Sequence, residues 1–490
     1  MSNLGSNLIN GQWFNDGQSF TSINPSDTTD CIGTFHAASK EDSLLAIKSA
    51  RDAFTEWSAS SLEERKKILD YIGDELINCS TEIGELIARE EGKPLAEGIG
   101  EVYRSGQFFQ YFGAEVLRQM GELATSTRPN INVEVTREPL GVIGVITPWN
   151  FPIAVAAWKI APALAFGNCV VLKPSEIVPA SAIAFADILH RSGLPKGVFN
   201  CIQGPGSIAG ETLSESKNID AISFTGSVKT GNLIAQKAIK NMTRIQLEMG
   251  SKNALVILND ADIDIAVQCA INGAFFGTGQ KCTASSRLIV EAGIHDEFVE
   301  KMITATQGLV VGNALDKTTQ IGPVVDSRQF EQNKKYIASA QKAGAKMIVG
   351  DESITVSHNG FYMRPTLFTE TNNQMEINRE EVFGPIACVI KAKSYEDALA
   401  ISNDSDFGLT SGIITQSLKQ ANHFKRHSES GCVMVNLPTA GTDYHVPFGG
   451  RKSSSYGPRE QGSYAKEFYR KDLTIRDASF FRSSNTLKRQ

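Results

Sequence analysis

Apolar residues recur at three- and four-residue spacing over Ser43–Trp57, Leu62–Ile87 and Leu95–Arg118, which predicts helices with one buried face each. Around 121–139 the period drops to two. The alternation Ile131-Asn132-Val133-Glu134-Val135 predicts a hairpin that protrudes between two helical blocks. From 141 to 258 short apolar runs read as strands: Val142–Ile146, Cys169–Leu172, Phe199–Ile202, Ala221–Phe224, Arg244–Leu247 and Ala254–Leu258. Helical stretches lie between them, at Ala154–Phe166, Ala180–Ser192 and Gly231–Ile239. Strands alternating with helices imply right-handed crossovers and a doubly wound parallel sheet, whose ligands bind beyond the carboxyl ends of the strands.

A second α/β stretch spans roughly 260–435. Its strands include Leu288–Val290, Ile386–Ile390, Gly412–Ile414 and Cys432–Val435, with helices at His295–Gly308 and Ala398–Ser402. Leu473-Thr474-Ile475 would add an edge strand before a polar tail. No internal repeat or low-complexity linker separates the halves, so they are expected to pack closely with a site between them.

Length and composition narrow the class. A chain of 490 residues exceeds one ordinary core and predicts two or three domains. A net charge of −6 gives no reason to expect nucleic-acid or anionic-membrane binding. No apolar run reaches the ~18 residues of a membrane helix, and the first residues lack signal-peptide character, so a cytoplasmic location is expected. The eight cysteines are scattered without a CxxC pair, which argues against a disulfide framework and a zinc site.

Most cysteines sit in apolar runs such as Asn168-Cys169-Val170-Val171-Leu172 and read as small buried hydrophobes. Cys282 differs, because Gly279-Gln280-Lys281-Cys282-Thr283 is a polar setting that follows the helix-like segment Ile263 to Phe276. A thiol with an ordinary pKa of ~8.5 needs a cationic or dipolar neighbour to act as a nucleophile near neutrality. Lys281 or a nearby helix end is a candidate for that role; alternatively Lys281 points into solvent. Thiolate attack on an aldehyde creates an alkoxide that needs preorganised donors. Asn150, on the turn Pro148-Trp149-Asn150-Phe151-Pro152, offers two N–H groups, or else caps the helix starting near Ile153. Glu248, in Leu247-Glu248-Met249-Gly250, could activate a water if burial raises its pKa; the alternative is an ordinary ion pair.

Three segments bear on a nucleotide. Gly204-Pro205-Gly206-Ser207-Ile208-Ala209 fits G-x-G-x-x-A formally, but Pro205 opposes the usual pyrophosphate turn. Phe224-Thr225-Gly226-Ser227-Val228 reads as strand, glycine turn and helix, which turns backbone N–H groups and a helix dipole toward a phosphate. Lys173-Pro174-Ser175-Glu176 follows a strand with an ammonium and a carboxylate suited to ribose hydroxyls, or to a surface ion pair.

Together these motifs resemble the aldehyde dehydrogenase superfamily over about residues 8 to 475. The markers are PWNFP (148–152), KPSE (173–176), FTGS (224–227), LEMG (247–250), GQKC (279–282), EEVFGP (380–385) and PFGG (447–450). The resemblance implies two doubly wound parallel-sheet α/β domains plus a β-hairpin oligomerisation element. It assigns 1–120 and 140–250 to a dinucleotide-binding domain, 251–455 to a catalytic domain, and 121–139 with 465–490 to oligomerisation as a homodimer or homotetramer. It makes Cys282 the nucleophile, Glu248 the general base and Asn150 the oxyanion donor. Ile146, Trp149, Lys173, Glu176, Gly226, Ser227, Glu381 and Phe383 would hold NAD or NADP, with Glu176 disfavouring a 2′-phosphate. Phe151, Trp158 and Phe448 would wall the aldehyde channel. Arg104 falls where relatives with apolar substrates carry an uncharged residue, so it would pair with a substrate carboxylate; a solvated helix face is the alternative.

Asn436–Phe448 and Ser455–Gly462 look most like the α-ketoglutaric semialdehyde (2,5-dioxopentanoate) dehydrogenases. The expected reaction is therefore NAD(P)-dependent oxidation of an ω-oxo acid through a cysteine thioester. Succinate or glutarate semialdehyde, a broad aldehyde range, a coenzyme A-acylating relative and a non-catalytic dinucleotide-binding protein are the alternatives.

Overall fold

The computed structural model describes residues 5–118, 121–350, 354 and 359–478. The helical N-terminal block forms as α1 (Lys40–Ser58), α2 (Leu62–Asn78), α3 (Ser80–Glu91) and α4 (Leu95–Glu115). Ser39 and Asp42 close a capping box on α1, and Ser61 caps α2 by accepting from Glu64 N–H. The single helix expected over Leu62–Ile87 is two, broken at Cys79. Its apolar spacing runs through the break because both pieces bury a face against α4. Leu95–Arg118 ends in a short 3₁₀ turn, Val116–Arg118.

The first sheet holds five parallel strands: Phe199–Cys201, Cys169–Lys173, Val142–Ile146, Ala221–Gly226 and Arg244–Met249, in that spatial order. In chain order this is 3-2-1-4-5, so the winding reverses between Val142–Ile146 and Ala221–Gly226. Ligands collect outside the strand ends at such a reversal. Val142–Ile146 and Cys169–Lys173 are buried at every position, as strands covered by helices on both faces must be. N-terminal strands Asn7–Ile9 and Gln12–Phe14 extend one edge, and Ser455–Tyr456 the other.

The second sheet runs Lys346–Val349, Thr366–Thr371, Ile386–Ala392, Ser285–Glu291, Asn253–Ile257, Thr410–Ile414 and Cys432–Val435, parallel except for the first. The strand read at Ala254–Leu258 thus belongs here, not to the preceding α/β run. Continuous α/β alternation across the boundary concealed the change of sheet. The hairpin Glu122–Thr125 and Ile131–Pro139 is joined by Arg470–Ala478 into a separate three-stranded sheet. Of the segment 465–490 assigned to oligomerisation, residues 479–490 lie outside the described residues.

Candidate active site

Strand ends of the first sheet and the entry to the second sheet face one cavity of ≈ 640 Å³. Cys282, Glu248, Asn150, Trp149, Gly226, Ser227, Glu381, Phe383, Arg104, Phe151, Trp158 and Phe448 all line it. Ile146, Lys173 and Glu176 do not; they sit at or just past the carboxyl ends of the neighbouring strands Val142–Ile146 and Cys169–Lys173. Lys173 and Glu176 form an ion pair there (3.1 Å), with the lysine buried and the glutamate exposed. Partial desolvation of the Glu176 carboxyl where it meets the lysine is outweighed by the charge and hydrogen bond of the Lys173 ammonium, and the carboxyl's pKa is lowered.

Cys282 precedes strand Ser285–Glu291 on a loop held in unusual backbone conformations. Gly277, Thr278 and Gly279 all have positive φ, and a Cβ on Gly279 would meet Gly384 O at 2.1 Å. Asn253 Nδ2 donates to the carbonyls of Cys282 (2.7 Å) and Ala284 (3.0 Å), fixing the loop to the strand Asn253–Ile257 of the second sheet. The thiol is half-buried. Burial pushes its pKa well up, and the carboxylates of Glu381 and Glu248 push in the same direction. Lys281 is not turned out into solvent: its Nζ donates to Asn272 O (3.1 Å), and burial lowers its own pKa while the charges of Glu97 and Cys282 oppose that. A buried ammonium needs an acceptor, and the helix carbonyl satisfies it.

Glu248 lies near the end of strand Arg244–Met249. Ser455 Oγ donates to its Oε2 (2.6 Å), and among the described residues no lysine or arginine forms an ion pair with it. Burial raises the Glu248 pKa well above the usual range, the charge of Glu460 adds to this, and Ser455 opposes it. Glu460 in turn pairs with buried Lys159. The ordinary-ion-pair reading of Glu248 is thereby set aside.

Asn150 does not cap the helix Ala154–Ala165 (α5). The N-cap position is Ile153, and the cap comes from α4: Glu101 Oε1 accepts from the N–H groups of Ile153 (2.9 Å) and Ala154 (3.1 Å). Asn150 instead donates from Nδ2 to Gln280 O (2.8 Å), two residues before the thiol. Its amide is thus free of helix duty and aimed at the Cys282 loop.

The nucleotide-binding expectations separate cleanly. Gly204–Ala209 feeds a short π-helical segment, Gly206–Gly210, away from the cavity, where Gly204 packs against Ala37. Ser227 caps the helix Val228–Ala238 by accepting from Thr230 N–H (3.2 Å), immediately after strand Ala221–Gly226. Ser227 itself lines the cavity, so the N-terminus of this helix borders it. Thr225 Oγ1 is buried there with no partner. Trp149 and Phe383 meet edge to face at 5.3 Å, and Phe383 holds φ +60°. Glu381 Oε1 accepts from Ser251 N–H (2.9 Å), and burial raises its pKa to about 7 against that bond and Lys252. Gly250 admits this carboxylate, since a Cβ would lie 2.1 Å from Glu381 Oε2. A helix N-terminus, an orphaned hydroxyl, a tethered carboxylate and two rings fit a dinucleotide's phosphate, ribose and nicotinamide.

Elsewhere in the cavity wall Trp158 packs against Phe448 (5.6 Å) and Phe108 (6.0 Å). Arg104 is half-buried in the cavity wall rather than solvated; Nη1 donates to Thr442 O, and among the described residues no carboxylate pairs with the guanidinium. The reading from sequence missed Lys93, Glu97, Glu101 and Ser455. Their signal was present for α4 alone: Glu97, Glu101, Arg104 and Phe108 recur at helical spacing and share one face.

A family model for the "Aldehyde dehydrogenase family" matches residues 13–475. An α-ketoglutaric semialdehyde dehydrogenase of Bacillus subtilis is 38% identical, over 96% of this chain and 97% of its own. A 2,5-dioxopentanoate dehydrogenase of Saccharolobus solfataricus is 38% identical over 94% and 96%. The crystal structure of Staphylococcus aureus betaine aldehyde dehydrogenase in complex with NAD+ superposes with a TM-score of 0.95 at 33% identity, covering 100% of this chain and 97% of that one. With a full-length fold match and the catalytic motifs gathered at one cavity, this chain belongs to the aldehyde dehydrogenase family.

Proposed function

We propose that this chain oxidises an ω-oxo acid, α-ketoglutaric semialdehyde to 2-oxoglutarate, with NAD or NADP as the acceptor. The observation that carries the substrate class is Arg104, a cation without a carboxylate partner among the described residues, in the wall of the cavity that also holds Cys282. A substrate carboxylate supplies the missing counter-charge. The same charge opposes a trimethylammonium aldehyde, the substrate type in the name of the structural relatives. Succinate and glutarate semialdehydes would satisfy the same cation and share the chemistry.

In this reading the Cys282 thiol gives up its proton to water entering the cavity, and Sγ bonds to the aldehyde carbon, while Ser455 steadies the Glu248 carboxylate for the later step. Asn150 Nδ2 turns from Gln280 O to the developing alkoxide. A bound nicotinamide supplies the hydride acceptor. Glu248 then removes a proton from water, which attacks the Cys282 thioester and frees the carboxylate product. Glu381, Ser227, Gly226, Lys173 and Glu176 hold the dinucleotide, with Ile146, Trp149 and Phe383 at its nicotinamide end. Phe151, Trp158 and Phe448 wall the aldehyde channel.

Residues 1–120 and 140–250 form the dinucleotide-binding domain, 251–455 the catalytic domain, and 121–139 with 465–490 the oligomerisation element of a homodimer or homotetramer. The fully exposed strand Glu122–Thr125, with Leu123 at 87% exposure, supports such pairing. No helix among the described residues is long and apolar enough to cross a membrane, and a cytoplasmic setting accords with that. The test is steady-state kcat/KM over semialdehydes and neutral and cationic aldehydes with both dinucleotides. The five-carbon oxo acid is expected to rank first; a preference for neutral or cationic aldehydes overturns the substrate class.

A further inference from the structure

Lys93 is a charged side chain that the chemistry above does not use, and it is only 4% exposed. Its Nζ donates to Glu101 Oε2 (2.6 Å) and to the backbone oxygen of Asn150 (2.5 Å), and sits 4.1 Å from the centre of the Phe151 ring. Glu101 is also buried, and its other oxygen accepts from Ile153 and Ala154 N–H. One ion pair therefore grips the turn from both sides. The lysine holds the residue expected to bear the oxyanion donor, and the glutamate holds the first turn of α5 just beyond it. One helical turn earlier on α4, Glu97 Oε1 accepts from Gly277 N–H (3.0 Å), at the start of the strained segment that leads to Cys282.

Neither α4 nor the segment before it supplies a reacting atom in the proposed reaction. A buried ion pair adds little net stability compared with an apolar packing of the same volume, because desolvation offsets the attraction. Its effect is directional: both groups are desolvated, so each tolerates little departure from its partner's position. The turn carries no disulfide, and its two prolines fix only their own φ angles. The bond from Lys93 to the Asn150 carbonyl is a direct hold on the backbone of that residue, beside the bond from its side chain to Gln280 O.

We propose that Lys93 and Glu101 are positioning residues for the oxyanion donor, clamping the 148–152 turn so that the Asn150 amide faces the Cys282 loop. This rests on the reading of Asn150 as that donor. Loss of a donor costs ~10²–10³ in rate, and a displacement of about 1 Å can cost ~10². Lys93→Met and Glu101→Gln should therefore slow acylation by roughly 10- to 100-fold.

The test is a double-mutant cycle on the full-length protein, read by the rate of the single-turnover NADH burst. Alkylation of Cys282 by iodoacetamide, which develops no alkoxide, is followed in parallel. Lys93→Met and Glu101→Gln are each expected to slow the burst in the wild-type background, and by less than about 3-fold once Asn150→Ala is present. Alkylation should change less than about 2-fold. Equal slowing in both backgrounds overturns the clamp, as does a parallel loss of alkylation, which would signify general disruption. If Asn150→Ala alone leaves the burst unchanged, the donor reading fails and the clamp falls with it, an outcome distinct from failure of the clamp alone. Should Lys93→Met not fold, Glu101→Gln, which keeps the shape and an acceptor oxygen for Ile153 and Ala154, carries the cycle.

Discussion

Replacing Arg104 by leucine removes the guanidinium while keeping an aliphatic side chain on the same helix face. In the structure that group donates to Thr442 O and has no carboxylate partner among the described residues. Its capacity for a bidentate contact is therefore available to substrate. A charge-assisted hydrogen bond contributes ~1.5–3 kcal/mol, which corresponds to a loss of roughly 10- to 150-fold in kcat/KM for α-ketoglutaric semialdehyde. A neutral aldehyde of similar length does not touch the charge and should lose less than about 3-fold. The assay is initial-rate NADH absorbance for both aldehydes, with thermal melting to verify folding. The informative quantity is the ratio of the two losses. Equal losses for both would refute the carboxylate clamp and assign Arg104 to holding the Thr442 loop.

Three further perturbations probe other groups. Ser455→Ala removes the one hydroxyl that favours ionised Glu248. Thioester hydrolysis requires the carboxylate and so rises with pH; its midpoint should move upward, with turnover at pH 7 falling by about 3- to 10-fold, and an unmoved midpoint would detach Ser455 from the base. Gly250→Ala places a Cβ 2.1 Å from Glu381 Oε2 and displaces that carboxylate; isothermal titration should show dinucleotide binding weakened by about 10-fold, and unchanged binding would remove Glu381 from the nucleotide contacts. Glu176→Ala removes an exposed negative charge next to Lys173; the NADP-to-NAD ratio of kcat/KM should rise about 5-fold, and a constant ratio would mean the carboxylate does not discriminate.

Much of this site is legible in the chain because its parts sit where backbone form and chemistry coincide. The strands ending at Ile146, Lys173, Gly226 and Met249 are short apolar runs cut off by glycine, proline or charge, so the residues alone locate their carboxyl ends. Cys282 stands out because polar residues flank it on a loop. Residues acting through tertiary contact are hidden. Lys281 adjoins the thiol in sequence, yet its ammonium bonds to Asn272, because adjacency along a loop does not set side-chain direction. Glu101 reads as one more helix glutamate until α4 packs beneath the 148–152 turn and delivers it to Ile153 and Ala154. The helix Ser327–Lys342 escapes notice because it is largely polar and fully buries only Asn333 and Ala340, with Tyr336 and Ile337 only partly covered.

Covalent catalysis at Cys282 with water activation by Glu248 is tested most directly in the Glu248→Gln protein. Mixed with NAD and α-ketoglutaric semialdehyde near neutral pH, it should release close to one equivalent of NADH per active site and then stall. Intact-protein and peptide mass spectrometry should then find an acyl adduct on Cys282. Sustained turnover in this variant, or an adduct on any other side chain, contradicts the account.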